Sequence, residues 1–152
     1  MDDAAKIYRA AGDLVPKTNL MHTVRGSARM ESARDFLRRG EFDTAEEILR
    51  QIEWETPLDR LSAETGLPMI LVHLGRKEYP LALYRCQRLL YTATVDTHRA
   101  DVLYYLIITE LALNQRDAAQ ETLTKLLKDH PYSEATARAK DRWGTSLGLD
   151  AK

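Results

Sequence analysis

This chain of 152 residues has a single cysteine, no long apolar run and a net charge of only −1. The one cysteine, Cys86, excludes an intrachain disulfide and a thiolate zinc cluster. Lysine and arginine number 22 against 23 acidic residues, so the chain has no general attraction for nucleic acid or anionic membranes. No apolar run approaches the roughly 18 residues that a spanning helix needs. We therefore expect no membrane insertion and no nucleic-acid partner.

The motifs that carry catalysis or hold cofactors are also missing. The four histidines are scattered, and neither an H-E-x-x-H motif nor a glycine-rich phosphate loop occurs. Glu110 lies in an apolar stretch, but no second carboxylate or histidine stands beside it at a useful spacing, and we expect it to reach an arginine or solvent. Cys86 occupies an apolar position, which favours a buried, inert thiol. The sequence thus predicts no metal, no cofactor and no enzyme activity.

Helical periodicity dominates what is present, and glycine and proline divide the chain into helices of ordinary length. The pattern predicts an all-α protein of one domain. Gly66 and Pro68 are expected to break or kink the helix that starts at Thr56 and Pro57. Asp96 is predicted to cap the longest helix, which runs to about Leu113. The predicted helices cover residues 2–14, 24–39, 56–75, 80–92, 96–113 and 117–129, with a further helix that starts near Phe42 and includes Ile52 and a last one that opens at Ser133.

An internal repeat becomes visible when these helices are superimposed. Ala45, Ala82 and Ala119 are spaced 37 residues apart, and each holds the same place in its helix. The apolar positions that follow each alanine are Leu49, Cys86 and Leu123, then Ile52, Leu89 and Leu126. One helix hairpin cannot bury such a stripe alone, whereas three stacked copies share a core.

One copy of this repeat resembles the second half of a tetratricopeptide repeat. The matching residues are Gly40, Phe42, Ala45, Leu49, Ile52 and Pro57. Ala33 and Phe36 are similar to the first half. The chain departs from the family in lacking its leading tryptophan and in a spacing of 37 rather than 34 residues. In the second copy the glycine, Gly75, stands two residues before the position equivalent to Gly40, and in the third copy Asn114 stands at that position.

The resemblance implies a right-handed helix-hairpin solenoid with an extra N-terminal helix and a C-terminal capping helix. Residues 1–25 are predicted to form the N-terminal helix and linker, and residues 134–152 the capping helix and tail. Residues 26–133 are predicted to hold three repeats, at about 26–62, 63–99 and 100–133.

The family also implies a concave groove lined by the first helix of each hairpin. Carried over residue by residue, the predicted partner-binding residues are Met30, Arg34, Leu37, Arg38, Leu71, Leu74, Tyr104, Ile108 and Leu111. A mostly apolar groove suits an amphipathic helix or an extended apolar segment of a partner protein. Of the adjacent tyrosines, Tyr104 is predicted to face the groove as the hot spot, and Tyr105 is predicted to face the core. The competing interpretation is that these residues are simply core.

Charge is distributed unevenly along the chain. Residues 1–40 hold 8 basic and 5 acidic side chains, whereas residues 41–80 hold 4 and 9. A solvated face explains this asymmetry most simply, and an acidic protein partner for Arg34 and Arg38 is the alternative. Nucleic acid is disfavoured because the groove positions are leucine, isoleucine and methionine.

The sequence therefore predicts a non-enzymatic adaptor that binds a helix or peptide of another protein. The second interpretation is a structural module for self-association, for instance as a homodimer, that is part of a bacterial envelope assembly protein. The acidic start without a signal and the lone cysteine favour the cytoplasm, and the periplasm applies if a signal peptide was removed.

Overall fold

The computed structural model describes residues 19–55, 63–92 and 98–147, with side chains in 28–55, 66–91 and 98–147. Helices fill these ranges, and no strand occurs in them, so the all-α prediction is confirmed. The predicted helix at residues 2–14, the restart at Thr56 and the Asp96 cap lie outside the described residues. The helices are α1 (Asn19–Arg38), α2 (Phe42–Glu55), α3 (Ala63–Gly75), α4 (Tyr79–Thr92), α5 (Arg99–Ala112), α6 (Arg116–Asp129) and α7 (Glu134–Trp143).

The chain divides into two compact units, Met1–Leu61 and Ser62–Lys152. In the first unit α1 packs against α2. In the second unit each helix packs against the next, and α3 also contacts α5 while α5 contacts α7. This order of contacts is that of consecutive helix hairpins in an α-solenoid, and it confirms the predicted helix-hairpin fold.

Three hairpin turns share one backbone geometry. Gly40, Lys77 and Asn114 all have positive φ angles, of 76°, 60° and 59°, and they stand 37 residues apart. In the first turn the Gly40 amide donates to the Leu37 carbonyl at 3.0 Å, and the Glu41 amide donates to the Phe36 carbonyl at 2.9 Å. The equivalent bonds measure 3.1 and 2.8 Å in both later turns. Each first helix thus ends in a Schellman motif, and the period in the sequence is a repeat of the backbone.

The second turn does not use the glycine that the sequence offers. Gly75 is the last residue of α3, and Lys77, two residues later, takes the left-handed conformation. A residue with a Cβ atom is strained there, but the side chain is exposed and meets no steric obstacle from the core. The position of the turn is therefore set by the register of the two helices and not by the location of glycine.

The second helix of each hairpin buries the same positions. The three helices begin at equivalent residues, Phe42, Tyr79 and Arg116. The repeat alanines have no exposed surface, and the two apolar positions that follow them are also buried in every copy. The buried set is Ala45, Leu49 and Ile52 in α2, Ala82, Cys86 and Leu89 in α4, and Ala119, Leu123 and Leu126 in α6.

The structure contradicts a break at Gly66 and Pro68, since α3 runs without interruption from Ala63 to Gly75. Pro68 lies in the second turn, where its missing N–H leaves one carbonyl of the first turn without its usual donor. Gly66 serves a packing purpose: a Cβ atom there would lie 2.7 Å from both Cδ atoms of Leu89. Glycine here allows α3 and α4 to approach closely.

Helix α7 begins as the sequence predicts. The Ser133 hydroxyl accepts a hydrogen bond from the Thr136 amide at 3.1 Å, which is an N-cap. Ala135, Ala139 and Trp143 then pack onto the core formed by α4, α5 and α6. Small residues on the buried side let α7 cover the last hairpin closely.

We expect Lys77→Gly to raise the free energy of unfolding by about 1 kcal/mol, because glycine adopts the left-handed conformation without strain. Chemical denaturation measures the change. Lys125→Gly is the matched control, since the same substitution inside α6 should lower stability by about 1 kcal/mol. If both substitutions lowered the free energy of unfolding by similar amounts, the left-handed turn assigned at Lys77 would be contradicted.

Candidate partner-binding surface

The predicted residues of the first unit differ in exposure. Met30 is buried, Arg34 and Leu37 are half-buried, and Arg38 is exposed. The Arg38 guanidinium lies 3.7 Å from the Asp35 carboxylate. Met30 thus belongs to the core of the α1–α2 hairpin, whereas the other three line its partly open side.

Neighbouring arginines of this unit are also engaged with carboxylates. Arg39 pairs with Asp35 at 2.5 Å, and Arg29 of α1 pairs with Glu55 of α2. Exposed pairs of this kind contribute little to stability, but they offset positive charge. The basic excess of residues 1–40 is therefore partly compensated within the unit.

In the second unit, the first helices of two hairpins present an apolar surface that is half-buried. We call it the α3–α5 face; its members are Leu67, Leu71, Leu74, Ile108 and Leu111. Leu71 and Ile108 are equivalent repeat positions, as are Leu74 and Leu111, and α3 packs directly on α5. Equivalent positions on adjacent, equivalent helices point the same way, so these side chains share one surface. Four predicted residues are brought together here.

Tyr104 is buried and does not contribute to the accessible part of the α3–α5 face. Its exposed fraction is 4%, because α7 covers it. The Tyr104 and Trp143 ring centroids are 5.0 Å apart. Tyr105, predicted to face the core, is the more exposed of the two tyrosines and lies one turn before Ile108. The predicted roles of the two rings are therefore exchanged.

Two arginines of α7 meet these aromatic rings. We call the group the tyrosine–arginine corner; its members are Tyr104, Tyr105, Arg138, Arg142 and Trp143. The Arg138 guanidinium lies 4.7 Å from the Tyr104 ring centroid, and Arg142 lies 5.0 Å from that of Trp143. Arg142 also donates to the Tyr104 hydroxyl at 3.2 Å. Burial raises the pKa of Tyr105, and the charge of Arg138 opposes the rise.

Sequence reasoning missed Arg138 and Arg142. Their spacing of four residues places them on one face of α7, and this was visible in the sequence. Their tyrosine partners were not visible, because Tyr104 and Tyr105 come from α5, more than 30 residues earlier.

A second apolar surface lies on the outer side of α4. Leu81, Tyr84 and Tyr91 are 49%, 59% and 89% exposed, and their spacing of three and seven residues aligns them on one side of the helix. We call it the α4 stripe. The opposite side of α4 carries Cys86 and Leu89 into the core, and the exposed Arg88 lies between Tyr84 and Tyr91 on the outer side. Such a surface on a folded protein often marks an interaction site.

Glu110 is buried within the last hairpin and reaches a threonine instead of an arginine or solvent. The Thr122 hydroxyl lies 2.6 Å from Glu110 Oε1 and 3.0 Å from the Ala118 carbonyl. One hydroxyl has one proton and cannot donate to both oxygens. The two contacts are therefore alternatives, and Thr122 donates either to Glu110 or to the Ala118 carbonyl.

Burial raises the pKa of Glu110 above its ordinary value of 4.5, the Thr122 hydrogen bond opposes the rise, and the nearby Glu121 charge adds to it. Burial also raises the pKa of the Cys86 thiol to about 12, with a smaller contribution from Glu110. A thiol of this kind is not a nucleophile at neutral pH. The arrangement is that of structural groups in a core.

Within the described ranges, no group of three or more histidine, cysteine, aspartate or glutamate side chains is placed to hold a metal ion. Among the helices of those ranges, none combines the length and the apolar character needed to cross a membrane.

Comparison with known proteins agrees with the geometry. The model of the tetratricopeptide repeat family matches residues 101–133, which include most of α5, all of α6 and the turn up to Ser133. No curated protein matches the chain. Together with the hairpins repeated at 37 residues, the match identifies a tetratricopeptide-repeat-like protein. Such repeats are in general protein–protein interaction modules.

We expect Glu110→Gln to stabilise the protein at pH 8, since an amide needs no proton to remain neutral and can still donate to Thr122. A raised carboxyl pKa means that the folded state binds the proton more tightly than the unfolded chain. The stability of the wild type therefore falls as pH rises from about 4.5 through the folded-state pKa.

Denaturation from pH 4.5 to 8 measures this effect. The advantage of Glu110→Gln should grow with pH, while Asp141→Asn, which alters an exposed carboxylate of α7, should show no such trend. A wild type that is the more stable protein at pH 8 would contradict the raised pKa of Glu110.

Proposed function

We propose that this protein is a non-enzymatic adaptor and that the α3–α5 face binds a helix or extended segment of a partner protein. The supporting observation is a set of five half-buried apolar side chains on two adjacent, equivalent helices. Side chains that are half-buried at fixed positions on a rigid scaffold are well suited to recognition, because little conformational entropy is lost on binding.

The chemistry of this face narrows the class of ligand. Between Leu67 and Leu74 the only ionisable side chain is His73, which is buried and lies 3.0 Å from the Glu78 carboxylate. On α5, Thr109 and Glu110 next to Ile108 point into the core. The face thus offers apolar contacts and few hydrogen-bonding groups. An amphipathic segment with apolar residues at regular spacing is its natural complement.

The α3–α5 face is tested by replacing Leu71 and Ile108 with glutamate. A partner that covered these glutamates would bury their charge without a counter-ion, which is costly, so we expect partner binding to be lost. Circular dichroism should show that the fold is retained. Gln120→Glu with Thr124→Glu is the matched control, because it adds the same charge on the exposed side of α6.

Affinity capture is the readout, combined with a photo-crosslinking residue at position 71 or 124. We expect one protein to be captured by the wild type and the control, lost with Leu71→Glu/Ile108→Glu, and crosslinked from position 71 only. Capture that is unaffected by the two glutamates would contradict a role of this face.

Self-association is the second candidate function, and the α4 stripe favours it. An apolar surface that includes the nearly fully exposed Tyr91 is costly to leave in water. A second copy could cover it through an isologous contact. We expect Tyr84→Glu to abolish any concentration-dependent rise in mass in analytical ultracentrifugation. A wild type that remains a monomer at high concentration would exclude this function.

A further inference from the structure

The two arginines of the tyrosine–arginine corner are held in place by aromatic rings and are exposed. Arg138 and Arg142 are one turn apart on α7, and their guanidinium groups lie against the rings of Tyr104 and Trp143 at 4.7 and 5.0 Å. Contact with an aromatic face orients a guanidinium group without neutralising its charge. The corner therefore presents two oriented positive charges to the surroundings.

Neither arginine forms an ion pair with an acidic group of the described residues. Glu134 stands four residues before Arg138, the spacing at which glutamate and arginine pair along a helix. The Arg138 guanidinium instead lies on the Tyr104 ring, and Arg142 bonds the Tyr104 hydroxyl. Among the residues that the structure describes, no carboxylate lies within ion-pair distance of either arginine. The folded chain leaves both available to an anion.

The corner adjoins the α3–α5 face. The Tyr104 and Tyr105 rings meet edge to face with centroids 5.3 Å apart, and Tyr105 lies one helical turn before Ile108. A segment that lies along Ile108 and continues past Tyr105 would reach the guanidinium groups of α7.

We propose that Arg138 and Arg142 bind an acidic stretch of the same partner segment whose apolar residues occupy the α3–α5 face. This inference rests on the proposed function. Guanidinium groups pair with carboxylates through two parallel hydrogen bonds. Two arginines one turn apart match two carboxylates about 5–7 Å apart, as at positions i and i+4 of a helix or i and i+2 of an extended segment.

A peptide fits this site better than a polyphosphate backbone. On α7, Glu134 stands one turn before Arg138 and Asp141 stands directly before Arg142, and the whole chain has a net charge of −1. Nucleic-acid binding needs a continuous basic surface that neutralises several phosphates. Two localised charges beside an apolar face suit a segment that combines carboxylates with apolar side chains.

Selection from a random display library of 12-residue peptides tests the inference with the intact protein. The selection compares the wild type with two double variants, Arg138→Gln/Arg142→Gln and Lys125→Gln/Lys128→Gln. The second variant is the control, because it removes two positive charges from α6. A single Arg138→Gln variant serves if loss of the Tyr104 bond prevents folding. We expect the wild type and the lysine control to enrich peptides that contain apolar residues and at least two acidic ones.

The arginine variant should lose the acidic residues and keep the apolar ones. A synthetic peptide from the wild-type selection should bind this variant about tenfold more weakly or worse, with the difference shrinking at high salt. Apolar peptides without acidic enrichment, or equal acidic enrichment by the arginine variant, would overturn this inference and leave the proposed function intact. No enrichment by the wild type would contradict both.

Discussion

The turn between the two helices of each hairpin is the constraint on which the rest of the structure depends. A residue in the left-handed conformation, at Gly40, Lys77 or Asn114, reverses the chain, and two backbone hydrogen bonds fix the angle at which the second helix departs. That angle places the repeat alanine against the first helix with no exposed surface. Because the second helix always starts two residues after the turn, its whole apolar stripe enters the core in register.

The same geometry explains why the α3–α5 face is left half-buried. In the second unit α3 packs against α4 and α5, and α5 packs against α3, α4, α6 and α7. The side of α3 and α5 that these contacts leave partly open carries residues such as Leu71 and Ile108. Helix α7 covers only one part of that side, at Tyr104. The apolar surface that remains for binding is thus a consequence of how the hairpins stack and of how much of it α7 covers.

Much of the fold could be predicted from the sequence, because the apolar stripes have a helical period and repeat at a fixed distance. The boundaries of α4 and α6 and the Ser133 cap were predicted to within one residue. Gly66 was misinterpreted, since a glycine that breaks a helix and one that admits a neighbouring side chain look alike in sequence. Leu89, the side chain it admits, lies 23 residues away.

The candidate site was predicted less completely for a similar reason. Tyr104 and Tyr105 both fit a helical spacing with Ile108, and only the packing of α7 decides which ring is covered. The partner of Glu110 could not be foreseen either. Thr122 stands 12 residues later in the opposing helix, and its side chain meets the carboxylate only once the hairpin has closed.

Amide hydrogen exchange resolved by nuclear magnetic resonance tests the repeated turn most directly. The amides of Glu41, Glu78 and Gln115 lie outside the regular helices, but each donates to a carbonyl five residues earlier at 2.8–2.9 Å. The account predicts that all three are protected from exchange, with chemical shifts at Lys77 and Asn114 typical of positive φ. Fast exchange at Glu78 together with a right-handed Lys77 would contradict the shared turn and the register built on it.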